Sequence, residues 1–334
     1  MTSQQPHSPS QFTIIMAFLA VYLIWGSTYL AIMFAVVSIP PFFMAGIRFI
    51  IAGIIMYIWS YLRGDEKPTA KNWKESSIVG ALLLLGGNGA VVWAEQYIPS
   101  GITALIVTTT PFWMVLIDWI RPEGKKPEFP VVVGIVLGFV GVTLLVNPQS
   151  LSGISGIYIP GALALTFAAF SWAAGSVYAR HAQLPKSQIL STSLQLLTGG
   201  ILLTAFSALS GEMFTVDFSQ MTSKSLLSVL YLITFGSIIG YTAYSFLLKN
   251  VSPAKASTYA YVNPVVAVFL GWLIASEPIS GRVILAAGII ISGVAFITLY
   301  KNKDSINISG MVGTVVRLPR RIVNKVSGFI GRMM

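Results

Sequence analysis

The chain has 334 residues, of which 55% are hydrophobic and only 10% charged. A soluble domain carries about 25% charged residues, so this composition excludes a soluble globular protein and describes one integral to a membrane. The net charge of +10 follows membrane orientation rather than a nucleic-acid footprint, and the absence of cysteine excludes a disulfide framework, a thiolate nucleophile and a cysteine metal site.

Residues 1–12 (MTSQQPHSPSQF) hold no Lys or Arg. They lack the basic region of a cleavable signal and read as a short disordered tail ahead of a genuine first span. A spanning helix needs about 20 apolar residues. By that measure the candidate spans are 13–37, 40–62, 75–95, 99–120, 129–146, 157–179, 188–209, 225–248, 254–276 and 281–300. The expected fold is therefore an all-α integral membrane protein of ten transmembrane helices. The loops are too short to hold a soluble catalytic domain.

Span 1 carries Trp25, Ser27 and Tyr29. Span 2 carries Arg48, a single charge in a run otherwise free of them from Pro40 to Leu62. An Arg in hydrocarbon costs about 3 kcal/mol or more, so Arg48 must face the bundle and find a partner. Glu95, at the outer end of span 3, is one partner within reach; a substrate carboxylate is the other. Asn88 interrupts span 3 in 86-GGNG-89, and 108-TTTP-111 places Thr109 and Pro111 in span 4. Span 6 carries Trp172 and Tyr178, span 7 Gln195, span 8 Tyr241 and Tyr244, and span 9 Tyr259, Asn263 and Pro264. Pro111 and Pro264 each lack an N–H and are expected to break their helices. Taken together these rings, hydroxyls and amides describe the lining of a cavity for a small organic solute. Singly, each also suits helix–helix glue or an interfacial belt. Carboxylates are scarce in the spans: of Glu95, Asp118 and Glu277, all near span ends, Glu95 is the best candidate for proton coupling, with a structural ion pair or a water-facing end residue as the other reading.

Eighteen of the 21 Lys and Arg residues fall in the loops after spans 2, 4, 6 and 8 and in the C-terminal tail, which lie on one face if there are ten spans. The positive-inside rule then puts both termini in the cytoplasm. The halves also repeat. 26-GSTY-29 matches 175-GSVY-178, 47-IRFIIAG-53 aligns with 194-LQLLTGG-200, and 108-TTTP-111 answers 261-YVNP-264. Arg48 thus faces Gln195 in the alignment. Each half has five spans, so the two enter the membrane from opposite sides. Inverted repeats of this kind are the architecture of many secondary transporters. The organisation expected is a tail over 1–12, one five-helix repeat over 13–146, a second over 157–300, and a basic tail over 301–334. In that last tail 320-RRIVNKVSGFIGRMM-334 places apolar residues at helical spacing. It reads as an amphipathic helix on anionic inner-leaflet lipid, with plain disorder as the other reading.

The runs 22-YLIWGSTYLAI-32, 46-GIRFIIAG-53, 88-NGAVVWAEQYIPSGITALIVTTTPFWMVLIDW-119, 134-GIVLGFVGV-142 and 263-NPVVAVFLGWLIASEPIS-280 resemble the EamA-type transporters of the drug/metabolite transporter superfamily. The resemblance covers about residues 13–300. It implies ten helices in two EamA repeats, an inner-membrane location, and export of small metabolites or drugs through a central cavity lined by spans 1, 3, 4, 6, 8 and 9. The matching motif positions are Trp25, Gly26, Ser27, Arg48, Glu95, Pro111, Pro264 and Glu277.

An intramembrane enzyme is disfavoured, since the two histidines, His7 and His181, lie outside the spans and no HExxH occurs. Without GxxxxGK[ST] the chain holds no nucleotide-driven pump, and no cofactor is expected. A channel-like facilitator or a membrane interaction or sensor protein are the alternatives to a secondary carrier. Oligomeric state is not legible in the sequence.

Overall fold

In the computed structural model, which describes residues 10–120, 126–146, 158–251, 256 and 258–303, the described residues contain helices and no strand. The helices are α1 Gln11–Val36, α2 Pro41–Leu62, α3 Ala70–Ala94, α4 Ser100–Ile120, α5 Phe129–Val146, α6 Ile159–Ala179, α7 Gln188–Leu209, α8 Ser223–Asn250, α9 Tyr259–Ala275 and α10 Gly281–Lys303. Among the described residues seven of them, α1 to α4 and α6 to α8, are long and apolar enough to cross a membrane. In α5, α9 and α10 the apolar stretches are shorter: Phe129–Leu144, Val262–Ala275 and Gly281–Phe296. The basic tail expected over 301–334 falls from residue 304 onward outside the described residues, as do residues 1–9 of the N-terminal tail.

Local sequence sets several ends. Helix α3 starts five residues before the apolar run because Thr69 and Asn72 form a capping box, each side chain bonded to the other's backbone N–H. Pro41 opens α2 at its first helical position, where a missing N–H costs nothing. Helix α4 is interrupted at Thr108–Thr109, between Ser100–Val107 and Thr110–Ile120. Pro111 leaves the Val107 carbonyl without its helical donor, and the Thr110 hydroxyl supplies one at 2.7 Å. The break expected at Pro264 does not occur: α9 runs continuously through it. There the proline removes one N–H from a helix whose neighbouring carbonyls find side-chain donors, as described below for Asn263.

The interior is built from close helix pairs. The most extensive contact joins α2 and α7, antiparallel, across Gly46, Gly53 and Gly200. A Cβ on Gly200 would sit 2.8 Å from the Ile50 nitrogen and 2.9 Å from the Gly46 carbonyl oxygen. Small residues let helix backbones touch in this way where lipid removes the hydrophobic drive to associate. Helices α5 and α10 pair the same way, with Gly293 against the Gly134 carbonyl and Gly141 against Ile290. The outward faces carry large apolar residues such as Ile54, Ile58, Val136, Leu227, Phe269 and Leu285, all exposed.

Carboxylates tie helix starts to neighbouring elements. Asp65, just past the end of α2, accepts 2.5 Å hydrogen bonds from Ser60 and from Ser187, the N-cap of α7. Glu212, just past the end of α7, accepts from the Phe43 N–H in the first turn of α2 at 2.9 Å and from Ser207 at 3.4 Å. At the offset that aligns Arg48 with Gln195, Ser60 falls on Ser207 and Asp65 on Glu212. Each end of the α2–α7 pair is therefore closed by an equivalent clamp. A third carboxylate, Glu277, follows a left-handed residue, Ser276 (φ 55°), and accepts from the Ser100 N–H (2.8 Å), the Ser100 hydroxyl (2.7 Å) and the Gly101 N–H (3.1 Å) at the start of α4. These N–H groups are among those a helix start leaves unpaired.

Two outcomes follow from this packing. Gly200→Ala pushes α2 and α7 apart and costs about 1–3 kcal/mol of stability, read as a lower thermal midpoint by size-exclusion chromatography of heated samples. Hydrogen bonds from Ser187, then Ser60, hold the Asp65 carboxyl below its ordinary value of 3.8. Because the folded value is the lower one, the stabilisation is complete above about pH 4 and is lost as pH falls through the folded value. Thermal unfolding from pH 3 to 6 checks this: Asp65→Asn is expected to flatten the acid limb.

Candidate functional site

Three helices are underwound into wide π turns at the level of the interior: Val21–Trp25 in α1, Ala81–Gly89 in α3 and Leu232–Tyr241 in α8. Such turns recur at functional sites because they turn side chains off the regular helical register. Here all three border one central cavity of about 80 Å³. Trp25, Gly87, Asn88, Gly236 and Tyr241 come from the π turns; Arg48, Trp172, Tyr259 and Asn263 come from α2, α6 and α9.

Arg48 is 4% exposed. Its Nη2 donates to Asn88 Oδ1 at 2.9 Å, while Nε and Nη1 have no hydrogen-bond partner. The guanidinium carbon stands 4.3 Å from the centroid of the Phe49 ring, a cation–π contact. Glu95 is equally buried, at 4%, and neither of its carboxylate oxygens bonds to another side chain. The two residues interact through space, yet their polar atoms do not bond. Of the two partners that the sequence offers Arg48, the pair with Glu95 is not formed, and Asn88 takes one donor instead. An unpaired donor on a buried charge costs about 1–3 kcal/mol or more, and Arg48, which lines the cavity, carries two of them.

An aromatic wall faces the arginine. Trp25 is its hub, with ring centroids 5.4 Å from Trp172, 4.8 Å from Tyr244 and 5.7 Å from Tyr259. Hydrogen bonds fix these rings. Trp25 Nε1 donates to the Gly236 carbonyl at 3.2 Å, Trp172 Nε1 to the Tyr244 hydroxyl at 3.3 Å, and Ser176 lies 2.8 Å from that same hydroxyl. Gly240 is required beside Trp25, because a Cβ there would come within 2.6 Å of Nε1. In the amide orientation that satisfies both of its ends, Asn263 donates to the carbonyls of Tyr22 (3.1 Å) and Tyr259 (3.2 Å), tying α9 to α1.

Of the residues selected from sequence, Trp25, Tyr29, Arg48, Asn88, Trp172, Tyr241, Tyr259 and Asn263 line the cavity. The others stand elsewhere. Ser27 is bonded to the Tyr231 hydroxyl at 2.6 Å, and Thr109 to its own helix at the Ile106 carbonyl. Tyr178 donates to Glu75 at 2.5 Å near the end of α6. Tyr244 stands behind the aromatic wall, and Glu95 behind Arg48. Lining residues that sequence reasoning did not select are Thr28, Ile32, Phe49, Val107 and Ala168, among others. Thr28 and Ile32 share a helical face with Trp25 and Tyr29, at spacings of three and four; that spacing was the available signal.

Gln195 borders a second cavity, of about 500 Å³, between α3, α6, α7 and α8. Its Oε1 accepts from the Tyr241 hydroxyl at 2.7 Å and its Nε2 donates to Ser191 at 3.1 Å. Tyr241 lines the first cavity and Gln195 the second, so one hydrogen bond stands in the partition between them.

The EamA-like transporter family matches the chain twice, over residues 11–147 and 159–299. The chain belongs to the EamA-like transporter family. It is 40% identical over 286 residues to the Escherichia coli K12 protein named uncharacterized inner membrane transporter YedA, covering 85% of this chain and 90% of that one. It is 25% identical over 282 residues to the Bacillus subtilis protein named uncharacterized transporter YoaV, covering 84% and 95%. A protein crystal structure aligns with a TM-score of 0.62 at 21% identity, over 86% of this chain and 98% of that one, and shares its fold. This EamA-like transporter is a multi-pass protein of the inner membrane and moves small solutes across it.

For the transporter's partition the expectation is specific. Tyr241→Phe leaves the buried Gln195 Oε1 without its donor and lowers stability by about 1–3 kcal/mol. Adding Gln195→Leu removes the orphaned acceptor and restores part of the thermal midpoint; a double variant less stable than the single one refutes the account.

Proposed function

We propose that this protein is a secondary carrier that exports small organic solutes by alternating access, with the central cavity as its substrate site. In this reading ten helices cross the membrane as two inverted five-helix repeats, over 13–146 and 157–300, with both termini cytoplasmic. The observation that carries it is the buried Arg48, with two unpaired donors, at the wall of a cavity that Trp25, Tyr29, Trp172, Tyr241 and Tyr259 also line. The equivalent clamps at Asp65 and Glu212 support the inverted relation of the halves. The basic loops support the orientation. Glu95, buried and bonded to no other side chain, is the group proposed to exchange a proton during the cycle.

The natural chain has no cysteine, so single cysteines report access directly. Thr28→Cys, at the cavity wall, is expected to react with a membrane-impermeant thiol reagent from either face, each face protected when the other is trapped open. Simultaneous reaction from both faces would instead describe a channel-like facilitator. In sealed vesicles flux is expected to respond to a proton gradient, and Glu95→Gln to abolish that response while leaving exchange without a gradient.

A further inference from the structure

We propose that the cargo is a small organic anion with an aromatic or apolar body, taken up through the cavity that ends at Gln195. This rests on the carrier reading above and specifies the chemistry of its substrate. Among the described residues lining the central cavity, the only charged one is Arg48. The described residues that line the cavity beyond the partition include Arg180, Lys186 and Lys249, with Gln188, Ser191 and Gln195, and among them there is no carboxylate. Lys249 Nζ reaches the Lys186 carbonyl at 3.2 Å, which holds the two ammonium-bearing side chains at one rim. The polar groups described along the route from that rim to Arg48 are thus cations, amides, hydroxyls and an indole, set among apolar side chains.

Orientation alone does not account for this. Basic residues mark the cytoplasmic side generally, but carboxylates at the same end of the bundle are present and turned to other work. Asp65 is occupied by Ser60 and Ser187, and Glu75 by Tyr178. The opposite end of the molecule has the reverse character. A groove there, between the ends of α1, α3 and α7, is lined by Glu212 and Asp217 and, among the described residues, by no Lys or Arg. A cavity of one sign raises the local concentration of the opposite ion and speeds its capture. An anion is therefore gathered at the Lys186 end and is not drawn back from the Glu212 end.

Size sets the order of events. The central cavity holds about 80 Å³, less than the roughly 150 Å³ that takes a benzene ring. The outer of the two, at about 500 Å³, admits one as the molecule stands. A solute resting there meets Gln195 and, once the Tyr241 bond parts, the guanidinium of Arg48. That group keeps two donors, Nε and Nη1, without a partner, one on each side of the Nη2 that Asn88 takes, and its charge and either donor suit a carboxylate or sulfonate oxygen. The rings of Trp25 and Trp172 meet the body of the solute.

Three benzene derivatives of matched size test this on the full-length protein: benzenesulfonate, a permanent anion; benzenesulfonamide, neutral; and phenyltrimethylammonium, a permanent cation. Binding is read as a thermal shift in detergent and translocation as current on a solid-supported membrane. Benzenesulfonate is expected to raise the thermal midpoint and carry negative charge, and the other two to do neither. Lys186→Gln with Lys249→Gln is expected to raise its half-saturating concentration several-fold in low salt, with the difference vanishing as salt screens the rim. Arg48→Gln is expected to abolish binding; Arg48→Lys, which keeps the charge and loses the guanidinium, to weaken it at least tenfold. Equal or stronger responses to the sulfonamide or the cation overturn the anion assignment and leave the carrier reading intact. No response to benzenesulfonate overturns the assignment as well. The carrier reading fails separately, on the two-sided labelling of Thr28→Cys.

Discussion

Glycines 46, 53 and 200 let the backbones of α2 and α7 touch, and the centre of the molecule is arranged around that contact. Lipid tails give apolar helices no reason to prefer one another, so association rests on fit and on satisfied polar groups. The α2–α7 contact supplies both. Its glycines bring the helices to contact distance, and the same two helices carry Arg48 and Gln195 into the interior. Arg48 then meets Asn88 on α3, and Gln195 meets Tyr241 on α8. Both partners lie in π turns. One tight interface thus positions the cation of the central cavity and the polar plug of the cavity beside it.

The halves of that interface are alike in backbone and unlike in chemistry. Arg48 and Gln195 occupy equivalent places, as do Gly53 and Gly200, Ser60 and Ser207, and Asp65 and Glu212. What differs is charge. Burial drives Glu212 above the usual carboxylate range while hydrogen bonds hold Asp65 below it, so the two clamps respond to different ranges of pH. The symmetric scaffold carries asymmetric side chains, a difference that the proposed carrier cycle, loading on one face and unloading on the other, would use.

Much of this was legible in the sequence because membranes impose a simple code. Long apolar runs, basic loops and an internal repeat gave the helices and their order without any tertiary information. Arg48, Asn88 and the aromatic residues stood out because polar and ring-bearing residues are uncommon in such runs. The lining residues that escaped notice are of two kinds. Phe49, Ile32 and Ala168 are apolar and look like every other residue of a span. Thr28 escaped because its neighbours Ser27 and Tyr29 looked equally polar, and only the helical face separates them: Ser27 turns to Tyr231, Thr28 to the cavity. Thr109 misled for a related reason. Its hydroxyl repairs its own helix beside Pro111, a local need that composition cannot distinguish from a binding role. Pro264 misled in the other direction, since α9 absorbs it without a break.

The paired clamps have a mechanical meaning. Asp65 fastens one end of α2–α7 and Glu212 the other, and both are engaged at once. A hinge pinned at its two ends cannot gape at either; it can only serve as an axle. In the proposed carrier cycle the movements would be carried by the helices around this axle, α1, α3, α6 and α8, three of which carry the π turns. The regular helices of the axle and the widened turns of its neighbours thus divide the molecule into a fixed part and a part whose side chains stand off the helical register.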